Sequence, residues 1–227
     1  MENLNPIKLF FNRIYYFLFI ERFNKKLSFN FPKDIFRWDL IQFLINKYDY
    51  STYLEIGCDK DQSFSKIKIS HKVGVDPISG GTIRKTSDEF FKNNKEKFDI
   101  IFIDGLHIYE QVIKDIFNSI KILNSDGIIL IHDCLPRKLW YQTSTRMSNT
   151  WNGDVWKAIV ECRTIENIDT HTCLADEGIG IIKLKRNNNP LILKQINFKK
   201  LKYKNYYTDR ENLMNVISVE KLIDEII

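Results

Sequence analysis

The chain has 227 residues, enough to bury the core of one α/β domain with some length left for terminal additions, but not enough for two full domains. With 44% hydrophobic and 28% charged residues, its composition is that of an ordinary folded protein, which excludes a disordered chain. The formal net charge of +5 comes from basic residues dispersed along the chain with no arginine-rich tract, so nucleic acid is not needed to explain it.

In chain order, IKLFFNRIYYFLFIERF comes first, an aromatic-rich helix interrupted by Lys8, Arg13, Glu21 and Arg22. Its longest uncharged run, Ile14 to Ile20, falls far short of the roughly 20 residues of a membrane span. No small-residue cleavage site follows, so a signal peptide is not expected. Such a helix packs on the domain or on a second subunit; basic residues beside an apolar face also suit a helix lying on a membrane surface. After Pro32, Asp34 is placed to cap a helix running to about Tyr48, with Ile35, Phe36, Leu40, Phe43 and Leu44 on its buried side.

Four acid-ended strands are then expected. Thr52 to Gly57, TYLEIG, ends on Glu55 and a glycine and opens through CDKDQSF into a short helix, and HKVGVDP finishes on Asp76. Between Asp76 and the third strand there is room for a Gly80–Gly81 turn, a short strand near Ile83 to Thr86 and a helix begun by Ser87 or Asp88. FDIIFIDGLHIY carries an apolar run, Ile100 to Ile103, with no polar alternation, as in a strand covered on both faces, and it delivers Asp104 and then His107. Asp104 could also merely cap the following helix, in which Val112, Ile113, Ile116, Phe117, Ile120 and Leu123 recur at helical spacing. GIILIHDC is a further buried strand that ends on His132 and Asp133. Ligands of open α/β sheets sit at the carboxyl ends of such strands.

Residues Leu135 to Asn152 lack a period and read as a long loop over the sheet edge. Asp154 starts a helix to about Arg163, and IDTHTCLADEGIGIIKLK reads as two strands joined by a turn at Asp176 to Gly178. The tail carries a basic run, FKKLKYK, and an amphipathic helix from about Val219. The four cysteines, Cys58, Cys134, Cys162 and Cys173, have neither CxxC spacing nor the density of a disulfide scaffold, which points to a reducing, cytoplasmic setting.

The order EIG, VGVDP, SDEFF, FDIIFIDGLHIY and GIILIHDC resembles that of class I S-adenosylmethionine-dependent methyltransferases, within the small-molecule and sugar O-methyltransferase-like group that has an IDGxHxY segment; the resemblance spans about Tyr53 to Lys185. It implies a Rossmann-like α/β fold with a seven-stranded, mostly parallel sheet, an antiparallel C-terminal hairpin and helices on both faces. Residues 1–50 would be an N-terminal helical extension packed on the core, 51–186 the methyltransferase domain and 187–227 a C-terminal extension.

The resemblance also implies roles. Glu55, Gly57 and the turn through Asp59 would hold the methionine part of the cofactor, Asp76 the ribose hydroxyls, and Thr86, Ser87 and Asp88 the adenine, with Asp104 at the cofactor's edge. The family's ExGxGxG loop here has Asp59 and Asp61 at its second and third glycine positions, a turn Asp can still make because it tolerates left-handed backbone. Glu55, Asp59, Asp61 and Asp76 around one crevice would repel a pyrophosphate and favour a sulfonium and an ammonium group. Asp104, His132 and Asp133 match the ligands that the metal-dependent members use for a divalent cation, Mg²⁺ or Mn²⁺. The cation would lower the pKa of an acceptor hydroxyl, with His107 as general base and His132 in the same catalytic group. Without a metal, His107 and His132 are hydrogen-bonded residues of the site.

The expected acceptor is a small-molecule hydroxyl, on a sugar or glycan precursor, reached past Trp140, Tyr141, Trp151, Trp156, Arg137 and Arg146; the aromatic residues serve equally well to pack the loop itself. A base-modifying nucleic-acid methyltransferase would carry Asn or Asp and two prolines where this chain has Asp104, Gly105 and Leu106. The other alternative is a non-catalytic binding protein of the same fold in glycan assembly.

Overall fold

In the computed structural model, residues 5–193 and 197–226 are described. The first four and the last residue of the expected terminal extensions lie outside them.

The elements are α1 (Pro6–Phe19), α2 (Arg37–Tyr48), β1 (Thr52–Ile56), β2 (His71–Val75), α3 (Ser87–Asn93), β3 (Phe98–Ile103), α4 (Tyr109–Ile122), β4 (Leu123–Ile131), α5 (Trp156–Cys162), β5 (Asp169–Cys173), β6 (Ile179–Lys183), α6 (Tyr203–Met214), β7 (Val216–Ile217) and α7 (Val219–Lys221). The strands form one sheet in the order β2-β1-β3-β4-β6-β5-β7. β2, β1, β3 and β4 run parallel, β6 is antiparallel to both β4 and β5, and β7 adds parallel to β5. This is the expected Rossmann-like sheet with its antiparallel hairpin. Its seven strands are reached differently, however. The strand expected near Ile83 is reduced to a single bridge from Ile83 to Val75, while β7, from the C-terminal extension, joins the opposite edge.

The buried apolar runs explain the sheet. Ile101 and Ile103 face a layer with Val112, Ile116, Trp156 and Tyr206, whereas Ile100 and Phe102 face one with Leu40, Ile41 and Leu44. Alternate residues of one strand thus feed two cores, which is why β3 needs no polar face. α2 buries Leu40, Ile41, Leu44 and Ile45, not Phe36 and Phe43, which are exposed. It is capped by Asp39, whose carboxylate accepts from Phe36 N at 3.0 Å, rather than by Asp34. α3 begins at Ser87, as expected, with Thr86 as its cap, and Glu89 Oε2 accepts from Thr86 N. The CDKDQSF segment forms turns instead of a helix.

Register sets the site. Ile56 is level with Val75 on one side and Ile103 on the other, and Ile103 is level with Ile131. The next residues, Gly57, Asp76, Asp104 and His132, therefore leave one sheet edge side by side. Because β2 and β3 lie on opposite sides of β1, the chain changes winding direction between β1 and β3, and such a switch point opens a crevice.

Candidate functional site

The crevice begins where β1 and β3 end. Gly57 has φ +90°, and a Cβ there would lie 2.3 Å from the Asp104 carbonyl oxygen, so the two loops approach as closely as they do only because this residue is glycine. Next to it, Asp59 (φ 44°) and Asp61 (φ 59°) take the left-handed backbone expected of them. Asp61 Oδ1 accepts from Gly81 N at 2.6 Å, tying the β1 loop to the glycine turn after β2.

Asp76 joins the same two loops. Its Oδ2 accepts from Asp59 N at 3.0 Å, and its Oδ1 from Ile78 N and Ser79 N at 2.8 and 2.9 Å. Burial would raise its pKa, but these backbone N–H groups and Arg84 hold it below the usual carboxylate range. Three of its roughly four lone-pair sites are taken, leaving little more than one for a ligand hydroxyl.

Beyond Asp76 lies a cleft of about 470 Å³, lined by Ile78, Leu106, Ser87, Asp88, Gln111 and Asp115 among others. Ser87 and Asp88 share the Gln111 amide, and Asp88 also pairs with Lys114 at 2.6 Å. Asp115 is buried, and burial pushes its pKa up to about 6. A second cleft of about 650 Å³ shares Gly57, Asp59, Asp104 and Gly105 with the first and continues to Arg37, Glu55 and His107. Glu55 is 2% exposed and accepts a short hydrogen bond from the Tyr53 hydroxyl. Burial pushes its carboxyl up to about 8, with Asp104 adding to the effect and Tyr53 and Arg37 opposing it, so the group holds a proton at neutral pH.

At the far end of that second cleft, six charged groups meet. His107 Nε2 lies 3.2 Å from Asp104 Oδ1, and His107 Nδ1 lies 3.0 Å from the Trp151 carbonyl and 3.2 Å from Asp133 Oδ2. His132 Nδ1 is 3.2 Å from Asp104 and 3.5 Å from Asp133, and its Nε2 is 3.7 Å from Asp176. Arg37 donates to Asp176 Oδ2 at 2.9 Å from both its backbone N and Nη1, and its Nε is 3.7 Å from Asp104. Burial opposes charge on both histidines, but Asp104 and Asp133 outweigh it, raising His107 to about 9 and His132 well above its ordinary value. In return the histidines hold Asp104 far below its usual range, and His132 with Arg37 holds Asp176 at about 2 despite burial. Three aspartates face one guanidinium and two imidazolium groups, so the cluster is close to neutral with protons on both rings.

Backbone strain gathers here too. Among the described residues, seven non-glycine residues have positive φ. Asp49 and Asn215 end helices, while Asp59, Asp61, Asp133, Asp176 and Glu177 border the crevice.

Comparison with known proteins places this geometry. Residues 56–134 match the family model described as a methyltransferase domain. That stretch, from the end of β1 to just past β4, is similar to a methyltransferase domain. The methyltransferase PaMTH1 of Podospora anserina, solved with SAH bound, superposes with a TM-score of 0.50 at 15% identity, over 82% of this chain and 98% of its own. Cofactor-bound Rv0187 from MTB gives 0.52 at 11% identity, over 70% of this chain and 85% of its own. These likenesses concern the fold. No curated protein matches this chain in sequence.

Across this region the expected cofactor residues divide. Gly57, Asp59, Asp76, Ser87, Asp88 and Asp104 line the 470 Å³ cleft, and Glu55 lines the adjoining one. Asp104 does not cap α4; that helix is held by Asp154 Oδ1, which accepts from Tyr109 N at 2.8 Å. The donor atoms that converge within 4.8 Å are those of Asp104, His107 and Asp133, with His107 in the place expected of His132. His132, more deeply buried, touches both acids from its own side.

The loop Leu135 to Asn152 does reach the site, but not with the whole expected surface. Trp151 lies over His107, ring centroids 5.4 Å apart, and Asn152 Nδ2 donates to Asp133 Oδ1 at 2.7 Å. Trp156 is 0% exposed and donates to Gln142 Oε1, so it is core and no acceptor face. Trp140 packs edge-on against Tyr16, Arg137 pairs with Glu177, and Arg146 bonds the carbonyls of Ser148 and Asn149. At Gly153 (φ +61°) a Cβ would overlap the His107 carbonyl oxygen, so the loop's end lies directly against the His107 backbone. Arg37, Gln111 and Asp115 were not foreseen. Arg37 starts a helix whose pattern reads only as core packing, and Gln111 and Asp115 sit one helical turn apart on α4, a spacing visible in sequence but shared with any solvated face.

Proposed function

We propose that the protein transfers a methyl group from S-adenosylmethionine to a hydroxyl of a small molecule, on a sugar or glycan precursor. The observation that carries this reading is the continuity of the two clefts: an acid-lined space at the β1–β3 switch point opens, past Gly57 and Asp104, onto the aspartate–histidine cluster. S-adenosylmethionine brings an electrophilic methyl on a sulfonium, so the protein's part is largely alignment. In this reading Gly57 and Asp59 border the methionine part, Glu55 gives up its proton to face the ammonium group, Asp76 takes a ribose hydroxyl with its remaining lone pair, and Ser87 and Asp88 lie beside the adenine.

The acceptor oxygen attacks the methyl carbon, the carbon–sulfur bond breaks, and the hydroxyl proton passes to Nε2 of His107 in its deprotonated form, which is scarce below pH about 9, so turnover should rise with pH toward that value. Asp104 orients the ring through Nε2, while Trp151 and Asp133 hold Nδ1. His132 and Arg37 keep Asp104 ionised. The donor set also fits a hard divalent cation such as Mg²⁺ or Mn²⁺, two carboxylates and an imidazole with oxygen ligands in the majority. Asp104, His107 and Asp133 would hold it, and it would supply Lewis acidity toward the acceptor hydroxyl.

Calorimetry with S-adenosylmethionine and its demethylated product tests the cofactor half, and labelled methyl transfer to a panel of nucleotide sugars and glycans tests the acceptor half. Asp104→Ala and Asp133→Ala should each lower turnover by about 10²-fold or more. Full turnover in both would remove the cluster from the reaction, and no calorimetric signal at all would remove the enzyme reading.

A further inference from the structure

α1 is amphipathic in the sense opposite to a helix that docks on a core. Leu9, Asn12, Arg13 and Tyr16, at helical spacing, form its partly covered side. From that side Arg13 donates to the Met147 carbonyl through Nε at 2.9 Å and lies 5.7 Å from the Trp140 ring, while the Gln142 amide donates to the Tyr16 hydroxyl. The opposite side presents Ile7, Phe10, Phe11, Ile14 and Leu18, with Tyr15, Phe17 and Phe19 at its margins, and no residue of the helix is buried. Phe10, Phe11 and Phe19 are 61%, 62% and 73% exposed. A continuous apolar surface of this kind marks an interaction site.

The rim of that surface is basic. Between residues 5 and 31 lie Lys8, Arg22, Lys25 and Lys26, besides Arg13 on the covered side, against one acid, Glu21. Glu21 is itself buried and spent on the start of α6, accepting from Tyr203 N and Lys204 N at 2.9 and 2.7 Å. That bond draws Lys202 and Lys204 up to the end of α1, where Arg22, Phe19 and Ile20 join them around an open hollow of about 420 Å³.

We propose that α1 lies in the interface of an anionic membrane, its phenylalanine face among the upper acyl chains and the hollow at Arg22, Lys202 and Lys204 on a lipid phosphate. Fourteen residues make a helix about 21 Å long, too short for a hydrocarbon core of about 30 Å, so it lies in the membrane plane. Charge selects this occupant over a second copy of the chain, because pairing two copies through α1 sets like-charged rims against each other, whereas lipid phosphates neutralise them. The inference is independent of the chemistry assigned to the crevice.

Flotation of the full chain with phosphatidylcholine vesicles, with and without phosphatidylglycerol, tests it. The protein should float with the anionic vesicles at low salt and lose them as salt rises. Phe10→Ser with Phe11→Ser, and separately Arg22→Glu with Lys26→Glu, should each cut the bound fraction roughly tenfold or more with the melting temperature unchanged, because these side chains are exposed. No flotation, or flotation indifferent to both variants, overturns the proposal. So does a lipid-free dimer that the phenylalanine variant splits while vesicles stay unbound, since the face then belongs to a second copy.

Discussion

At the strand ends three aspartates, two histidines and an arginine are drawn into a space largely shut off from water, whereas α1 leaves phenylalanines standing in it. Folding alone favours the reverse in both places: charges are costly to bury and apolar rings costly to expose. The crevice offsets its cost internally, since its opposite charges are within 2.9 to 3.7 Å of one another. The helix has no such internal compensation among the described residues. One region is a finished electrostatic unit into which a small ligand fits, and the other is half of a contact whose remaining half must come from outside the chain.

The largest effect expected of a single change is at the hinge between the two clefts. Gly57→Ala must place a methyl group on the Asp104 carbonyl while forcing alanine into φ +90°, so we expect a loss of stability of about 3 kcal/mol or more and no measurable affinity for S-adenosylhomocysteine. Thermal unfolding and calorimetry on the same sample check both parts. A well-folded variant that still binds would show that the loops can part, and the crevice would lose its rigidity argument.

Next come the tryptophans. Trp156→Ala should cost about 3–5 kcal/mol of stability, as for a fully buried ring. Trp151→Ala, beside His107, should cost about 1 kcal/mol through its lost bond to Thr143 O and show itself mainly in the acceptor KM. A reversed pattern would move the acceptor side elsewhere.

Glu55 gives a test by pH. Its carboxyl sits at about 8 in the free protein, and a facing ammonium group must lower that value. Cofactor affinity should then rise with pH up to about 8, by at most tenfold per unit, and flatten in Glu55→Gln. For the free protein the sign is opposite: between about 4.5 and 8 the folded state holds a proton that the unfolded chain releases, so this group's contribution to stability falls as pH rises. Affinity that is flat with pH would place the ammonium group away from Glu55.

The smallest effect separates two roles for Asp88. If it serves only its surface pair with Lys114, Asp88→Ala costs about 0.5 kcal/mol and leaves cofactor affinity alone. A loss of tenfold or more in calorimetry puts it on the adenine.

The parts of this molecule that could be read in sequence are those where one physical signal dominates. Ile100 to Ile103 and Ile128 to Ile131 are uniformly apolar, short and rich in β-branched isoleucine, which favours buried strands over helix. α6 was hidden because its buried positions are Tyr203, Tyr206, Leu213 and Met214, broken by a non-helical Asp209, so neither period nor hydrophobicity stands out. The site was legible as a row of strand-end residues, since register follows from the strands. Arg37 and Asp176 were not, because their meeting joins the start of a helix to a hairpin turn 139 residues later. The choice of His107 over His132 among the converging donors likewise depends on the turn after β3, which Gly153 and Trp151 press into shape from 44 or more residues downstream.

The contact of Gly153 with the His107 backbone has a mechanical consequence. With Trp151, Asn152 and Gly153 all fastened to the aspartate–histidine cluster, the downstream end of the long loop is a fixed post, and any widening of the crevice on that side must come from the stretch ending near Met147. That stretch is tethered on its other side to Arg13 and Tyr16. Whatever takes hold of the outer face of α1 therefore also pulls on the loop that closes over the aspartate–histidine cluster.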